Sequence, residues 1–293
     1  MAKHSDEIAQ GERFGFGNNW RNFLSLLDDS RIERAITSMK TGLGRESLDG
    51  VRVLDIGCGS GLFSLAARKL GAEVHSFDYD PQSVACTREL RQRYFPNDTA
   101  WQIEEGSVLD AKYISDLGQF DIVYSWGVLH HTGNMYGALE NALHCVASDG
   151  QLYISIYNDQ GGESRRWRAI KKFYCGLPSS LQIPFALAVI APREAVAFAG
   201  SLLTLRPHKY WQRWQSYGRQ RGMSRWHDHV DWLGGYPFEV AQPEEIIHFF
   251  RDRGLTLEHL KTVGGGNGCN EFVFRRPAQS ATGTRRTLEF AAA

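Results

Sequence analysis

Apolar and polar positions fall into blocks along this chain, and the period of each block predicts an element. Val53-Leu54-Asp55-Ile56 is a short apolar run ending at the cluster Gly57-Cys58-Gly59-Ser60-Gly61, after which apolar residues recur at helical spacing to about Leu70, with Gly71 as a stop. Glu73 to Asp78 reads as a second strand. Asp80-Pro81 then offers an N-cap acid and a proline at the first helical position, predicting a helix through about Tyr94. Trp101 to Glu104 and Phe120 to Trp126 predict two more strands, Ala138 to Val146 an amphipathic helix, and Gln151 to Tyr157 a fifth strand after the turn Ser148-Asp149-Gly150. Ahead of the first strand, Arg13 to Trp20 is aromatic and glycine-rich, and Phe23 to Met39 carries apolar residues at helical spacing. Near the other end, Pro243 to Gly254 predicts a helix, and Leu255–Thr262 and Glu271–Phe274 predict a hairpin around the glycines of 264–268. Strands alternating with helices point to an α/β fold with a parallel, doubly wound sheet.

Residues 161 to 239 break this rhythm. From Ser164 to His227 there are twelve basic residues and one acid, Glu194, and the remainder of the chain is correspondingly acidic. Five of the eight tryptophans (167, 211, 214, 226 and 232) lie in or just after this stretch, which predicts a helical, basic and aromatic cap inserted after strand five. Leu177 to Leu205 is apolar, but Pro178, Pro184, Pro192 and the Arg193-Glu194 pair interrupt it, so the expectation is a cap helix and not a membrane span.

Overall composition adds little. Lysine plus arginine equals aspartate plus glutamate, so net charge selects no partner. The five cysteines (58, 86, 145, 175, 269) show no C-x-x-C pair, which argues against a disulfide framework or zinc knuckle and suits a reducing, cytoplasmic setting. Met1 to Gln10 carries no apolar run of the kind a signal peptide needs, and residues 278–293 read as a disordered tail or a cloning remnant.

The chemistry begins at the glycine cluster. Alternating glycines let a backbone turn sharply and approach a ligand with no Cβ in the way, while the following helix offers unpaired N–H groups. The spacing is G-x-G-x-G where the dinucleotide fingerprint is G-x-G-x-x-G, and Asp55 at the strand end would repel a pyrophosphate but suit a cation. About 21 residues after Gly57, Asp78 ends the second strand where such folds hold a ribose diol. A nicotinamide-dependent oxidoreductase is the rival class on these residues.

The stretch 53–63 with its downstream acid resembles motif I of the class I S-adenosylmethionine-dependent methyltransferases. The likeness extends over about residues 50–158 and, in architecture, 240–275. It implies a seven-stranded, mostly parallel sheet with an antiparallel last strand, N-terminal helices over the cofactor mouth, and S-adenosylmethionine as cofactor. The residues implied to hold it are Asp55, Gly57, Cys58, Gly59, Gly61, Asp78, Tyr79, Ser107, Val108, Ser125 and Trp126. Many members have Gly-Asp where this chain has Gly106-Ser107, so serine and the Val108 backbone must serve the adenine, with Asp110 as an outside candidate. Leu129-His130-His131 resembles the family's motif after strand four and makes His131, then His130, the candidate bases; the alternative is that they only hydrogen-bond and pack the loop.

Acceptor candidates are Asn19 and Trp20 from the N-terminal cover, Tyr157, Asn158 and Asp159 at the end of strand five, and Asp231 and Tyr236 from a loop returning from the cap. Trp20 with Phe23 also suits a plain staple of helix to sheet. If Trp226 to Tyr236 were extended, His227 and His229 would share a face, but no further ligands accompany them and no metal is expected. The predicted organisation is 1–45 cover, 46–160 core, 161–239 cap, 240–277 end of the core sheet and 278–293 tail. The layout is similar to ubiquinone-biosynthesis O-methyltransferases, which implies methylation of a small or lipid-linked hydroxylated acceptor. RNA or nitrogen methylation, and a non-catalytic S-adenosylmethionine-binding module, are the alternatives. The cap offers three roles: peripheral contact with an anionic membrane, a grip on RNA phosphates, or a basic cover that offsets the acidic core.

Overall fold

Seven strands form one sheet in the order β3-β2-β1-β4-β5-β7-β6 in a computed structural model that describes residues 4–204, 208, 210–212, 225–266 and 268–278. Within that range the side chains of residues 18, 19, 21, 22, 193, 225–228 and 231 are not described. The strands are β1 (Arg52–Ile56), β2 (Glu73–Asp78), β3 (Trp101–Glu105), β4 (Phe120–Trp126), β5 (Val146–Tyr157), β6 (Thr256–Lys261) and β7 (Cys269–Arg275). The first five pair in parallel, and β7 lies antiparallel between β5 and β6. This is the doubly wound, mostly parallel sheet expected from the sequence, and the chain order reverses direction across β1 and β4, where such sheets open a ligand crevice.

The central strands are apolar because both faces are covered. On one face lie α3 (Asp29–Leu43), α4 (Leu62–Lys69) and α5 (Pro81–Tyr94), meeting Val53, Ile122 and Tyr153. On the other lie α6 (Ala111–Leu117), α7 (Met135–His144) and a C-terminal helix, Pro243–Arg251, meeting Leu54, Val123 and Phe272. Aspartates start three of these helices: Asp28 accepts the Arg31 N–H at 2.9 Å, Asp80 the Gln82 N–H at 2.9 Å, and Asp110 the N–H groups of Lys112 and Tyr113 at 3.1 Å. Asp110 is therefore occupied as a cap.

Two short helices, α1 (His4–Ala9) and α2 (Gly17–Ser25), precede the sheet. The cap follows β5 as α8 (Gly162–Cys175), α9 (Ser179–Leu203) and α10 (Arg225–Gly234); the C-terminal helix is then α11. Trp167, Tyr174, Ala186, Leu233 and Phe238 give the cap its own small core. Two expectations are corrected here. Pro184 and Pro192 do not interrupt the apolar run: α9 is one helix of 25 residues, long and apolar enough to cross a membrane by length and composition. The return from the cap, expected as a loop, is in part a helix as well. Residues 225–234 are helical, so positions 227 and 229 point about 200° apart and do not share a face. Of the expected tail at 278–293, all but residue 278 lies outside the described residues.

Gly42 shows how closely α3 sits on the sheet, since a Cβ there would fall 2.4 Å from the Tyr153 ring, whose hydroxyl donates to Glu271 at 2.6 Å. Gly42→Ala gains roughly 1 kcal/mol of helix propensity yet is expected to destabilise the protein by about 1–3 kcal/mol through overpacking, read as a lower urea midpoint.

Candidate functional site

The carboxyl ends of β1, β2 and β4 open into a cavity of about 460 Å³. The glycine turn crosses its floor, with Gly57 and Cys58 donating N–H bonds to Phe77 O at 2.8 and 3.1 Å. Gly57, Gly59 and Gly61 take φ values of 76°, 55° and 79°, a region open to glycine at little cost. Space is as restrictive as torsion: a Cβ on Gly57 would lie 2.4 Å from Val128, and one on Gly59 3.0 Å from the Trp20 indole.

Two acids stand in this floor. Asp78 ends β2 and accepts the N–H of Gly59 at Oδ2 and of Asp80 at Oδ1, both at 2.9 Å, so each oxygen keeps a lone pair for a further donor. Burial nevertheless pushes its carboxyl up to about 6, with those two bonds opposing. Asp55 ends the central strand and accepts a hydrogen bond from the Ser64 hydroxyl. Ser64 Oγ lies 2.8 Å from Ser76 Oγ, which takes the Trp101 Nε1–H at 2.9 Å. Because the indole can only donate, these hydroxyls line up from β3 through β2 and α4 to point at Asp55. Burial still raises Asp55 to about 7, and the neighbouring charge of Asp78 adds to it.

His131 belongs to the opposite wall. Its Nδ1 is 2.6 Å from Pro237 O; a carbonyl only accepts, so Nδ1 carries the proton and Nε2 is left as the acceptor atom of the ring. Burial pushes this imidazole down to about 3, opposed by the Pro237 bond and reinforced by the charges of Lys171 and Arg13. Tyr157 and Phe16 rings flank it with centroids at 5.4 Å. His130 is fully buried behind it, its ring 4.2 Å from that of Tyr157, and burial drives its pKa well down. It does not line the cavity.

The N-terminal segment covers the opening. Gly17 N–H donates to Asp80 Oδ2 at 2.8 Å, Arg13 reaches His131 O at 2.9 Å and Glu7 at 2.5 Å, and the Tyr79 hydroxyl donates to Glu7 at 3.0 Å. Burial and that acceptor push Tyr79 up to about 12. Trp20, Phe14, Phe16 and Phe23 complete the apolar roof.

Of the residues singled out from sequence, Asp55, Gly57, Cys58, Gly59, Asp78, Tyr79, Ser107, Val108, Trp126, His131 and Trp20 line this cavity. Others lie outside its lining. Gly61 starts α4 and is pressed against Thr87; Ser125 is buried and donates to Ile56 O at 3.0 Å. Asn158 accepts the Asn270 Nδ2–H at 3.1 Å, Asp159 accepts the Gly161 N–H at 2.8 Å, and Tyr236 O accepts the Phe14 N–H at 2.9 Å, so these three knit the strand end, the cap entry and the cover together. Tyr157 packs behind His131, and the side chains of Asn19 and Asp231 lie outside those described. Arg13, Phe14, Phe16 and Asp80 line the cavity without having been singled out for it. The signal for the first three was the aromatic and glycine pattern of 13–20; Asp80 was hidden by its second role as a helix cap. Among the described residues no group of three or more side chains could hold a metal ion.

A family model described as a methyltransferase domain matches residues 20–260. Among curated relatives, the ubiquinone biosynthesis O-methyltransferase of Glaesserella parasuis serovar 5 (strain SH0165) is 32% identical over 111 residues, 38% of this chain and 47% of that protein. The ribosomal protein L11 methyltransferase of Prochlorococcus marinus (strain MIT 9301) is 31% identical over 159 residues, 54% of this chain and 47% of that one. The chain thus spans about half the length of the curated relatives it matches. Among solved structures, magnesium protoporphyrin IX methyltransferase from Synechocystis PCC 6803 with bound SAH has a TM-score of 0.47 at 13% identity, covering 84% of this chain and 81% of that one.

The raised pKa of Asp55 has a sign that can be measured. The folded protein holds this proton to about 7 while the unfolded chain releases it near 3.8, so stability is full below that lower value and is lost as pH rises through 7. In ligand-free protein, Asp55→Asn is therefore expected to gain on the wild type by about 2–4 kcal/mol between pH 4 and pH 8, read from urea unfolding at the two pH values.

Proposed function

The chain belongs to the methyltransferase-domain family, and on that premise we propose that it moves a methyl group from S-adenosylmethionine to a hydroxyl oxygen of a small or lipid-linked acceptor. One observation carries this reading: a single cavity has a buried acid, a half-buried acid and a glycine turn on its floor and a tautomer-fixed imidazole in its wall. The acids fit the cofactor's chemistry. Asp78 has two lone pairs for a ribose diol, Asp55 supplies negative charge to a cationic ligand, and the turn leaves no room for a Cβ.

When bound, S-adenosylmethionine supplies a methyl carbon on a positively charged sulfur. The roof formed by Trp20, Phe16 and Phe23 excludes water that would otherwise compete for it. His131 would take the acceptor's proton at Nε2, while the cofactor, held by Asp55, Asp78 and the glycine turn, would supply the methyl carbon to the acceptor oxygen and keep the C–S electron pair on sulfur. The imidazolium then replaces a positive charge already present, so His131 accepts its proton without raising the net charge of the cavity. An amine acceptor is the second reading, favoured by the low basicity of His131, because a neutral amine attacks through its own lone pair and needs less help.

Incubation with methyl-tritiated S-adenosylmethionine and separate lipid, small-metabolite and RNA fractions is expected to label the first or second; label confined to RNA overturns the acceptor class. With an acceptor in hand, His131→Ala is expected to lower kcat by about 10²–10⁴-fold with KM for S-adenosylmethionine unchanged, and an unaltered kcat at every pH removes the base role. Since His131 is neutral down to about 3, protonating it does not reduce kcat between pH 8 and pH 5. Cofactor affinity does fall over that range, by up to about tenfold per unit between 7 and 6 as Asp55 takes up a proton that binding must expel, and more steeply below 6 as Asp78 does the same.

A further inference from the structure

We propose that the cap docks on an anionic lipid bilayer, with α9 lying in the interface between headgroups and acyl chains. The helix is about 37 Å long, and only 6% of its most apolar stretch is buried in the protein. Ile183, Leu187, Val196, Phe198, Leu202 and Leu203 are all exposed, Val196 by 74% and Leu203 by 86%. At 100° per residue they spread over roughly 220° of the circumference. A flat protein partner covers a narrower stripe than that, whereas acyl chains and headgroups enclose a half-immersed helix on all its open sides.

The charges beside it complement an anionic surface. The Phe173 ring of α8 meets that of Phe185 on α9 at 5.2 Å; Lys172 is exposed beside Phe173, and Arg166 and Arg165 are exposed about two turns away along α8. In sequence, Arg206, Lys209 and Arg213 follow the other end of α9 together with Trp211, which is 60% exposed. Cations beside one end of an apolar helix, and in sequence after the other end together with tryptophan, match a headgroup layer. The only acid from Ser164 to His227, Glu194, faces inward and accepts from the Tyr210 hydroxyl at 2.8 Å with His229 at 3.4 Å.

The helix rests on the bilayer and does not cross it. Crossing would strip Ala186, Val189 and Ile190 from the cap core and carry Glu194 into hydrocarbon.

Docking does not depend on the methyl-transfer reading and is measured with no acceptor present. The full chain is floated with vesicles of phosphatidylcholine, with and without a one-third share of phosphatidylglycerol. Partition onto the anionic vesicles is expected to exceed that onto the neutral ones at least tenfold and to weaken with salt. Joint replacement of Arg165, Arg166 and Lys172 by glutamine is expected to lower it about a hundredfold. Val196→Glu with Leu203→Glu is expected to abolish it while S-adenosylhomocysteine affinity and near-ultraviolet circular dichroism stay unchanged, since both positions are exposed. Absence of binding to anionic vesicles at low salt, or equal binding by the glutamate variant, overturns the proposal. So does a wild-type dimer, seen by light scattering without vesicles and lost in the glutamate variant, which would mean that a second copy covers this face.

Discussion

Two carboxyl groups, Asp55 buried and Asp78 half-buried, at the ends of neighbouring strands set the terms for the rest of this molecule. Charge in a low-dielectric site is costly unless donors surround it, and the donors here come from three elements and two turns. Ser64 on α4, Ser76 on β2 and Trp101 on β3 serve Asp55, while the backbone of Gly59 and Asp80 serves Asp78. The parallel register that places Leu54 beside His75 and Ser76 beside Ile103 is what brings those groups within reach. Even so, both acids retain pKa values well above that of an exposed aspartate, so the ligand-free site stores a cost that a cationic, diol-bearing ligand relieves.

The opposite wall is held by segments that are not part of the parallel core. Glu239, on the stretch returning from the cap, accepts the N–H groups of Gly133 and Met135 at 3.0 and 3.1 Å, and its own N–H donates to His130 O at 2.9 Å. Pro237, two residues earlier, fixes the tautomer of His131. Arg13 ties the carbonyl of His131 from the other side. The loop after β4 is thus clamped between the N-terminal cover and the cap return, and its imidazole is oriented by residues more than a hundred positions away in either direction.

That arrangement explains which features were legible in the chain and which were not. Strand ends, glycine turns and capping acids are local, and Asp55, Asp78 and the glycines between them could be read from spacing alone. His131 was visible as a polar residue at a strand end, but its tautomer depends on Pro237 and its low basicity on burial under Phe16 and Tyr157, neither of which any local pattern encodes. Asn158 and Asp159 looked like ligand residues because they too follow a strand; here the neighbouring β7 and the turn into α8 claim their side chains first. The prolines of α9 misled for a different reason. A proline forfeits one helical hydrogen bond and crowds the preceding turn, and an exposed helix can let water take the freed carbonyl and continue.

The column of rings that runs from His130 and His131 through Tyr157 to Trp232, Trp167 and Phe238 crosses from the core into the cap without a break. Lys171, fully buried, sets its ammonium 4.1 Å from the centre of the Trp232 ring and bonds the carbonyl of that residue, which pins the column from the cap side. Interchangeable modules require a seam, and this boundary has none. A chimera carrying a different cap on the same sheet would inherit the glycine and aspartate floor whole and lose the packing that shapes the imidazole wall, so the cap and the imidazole it supports must vary together or not at all.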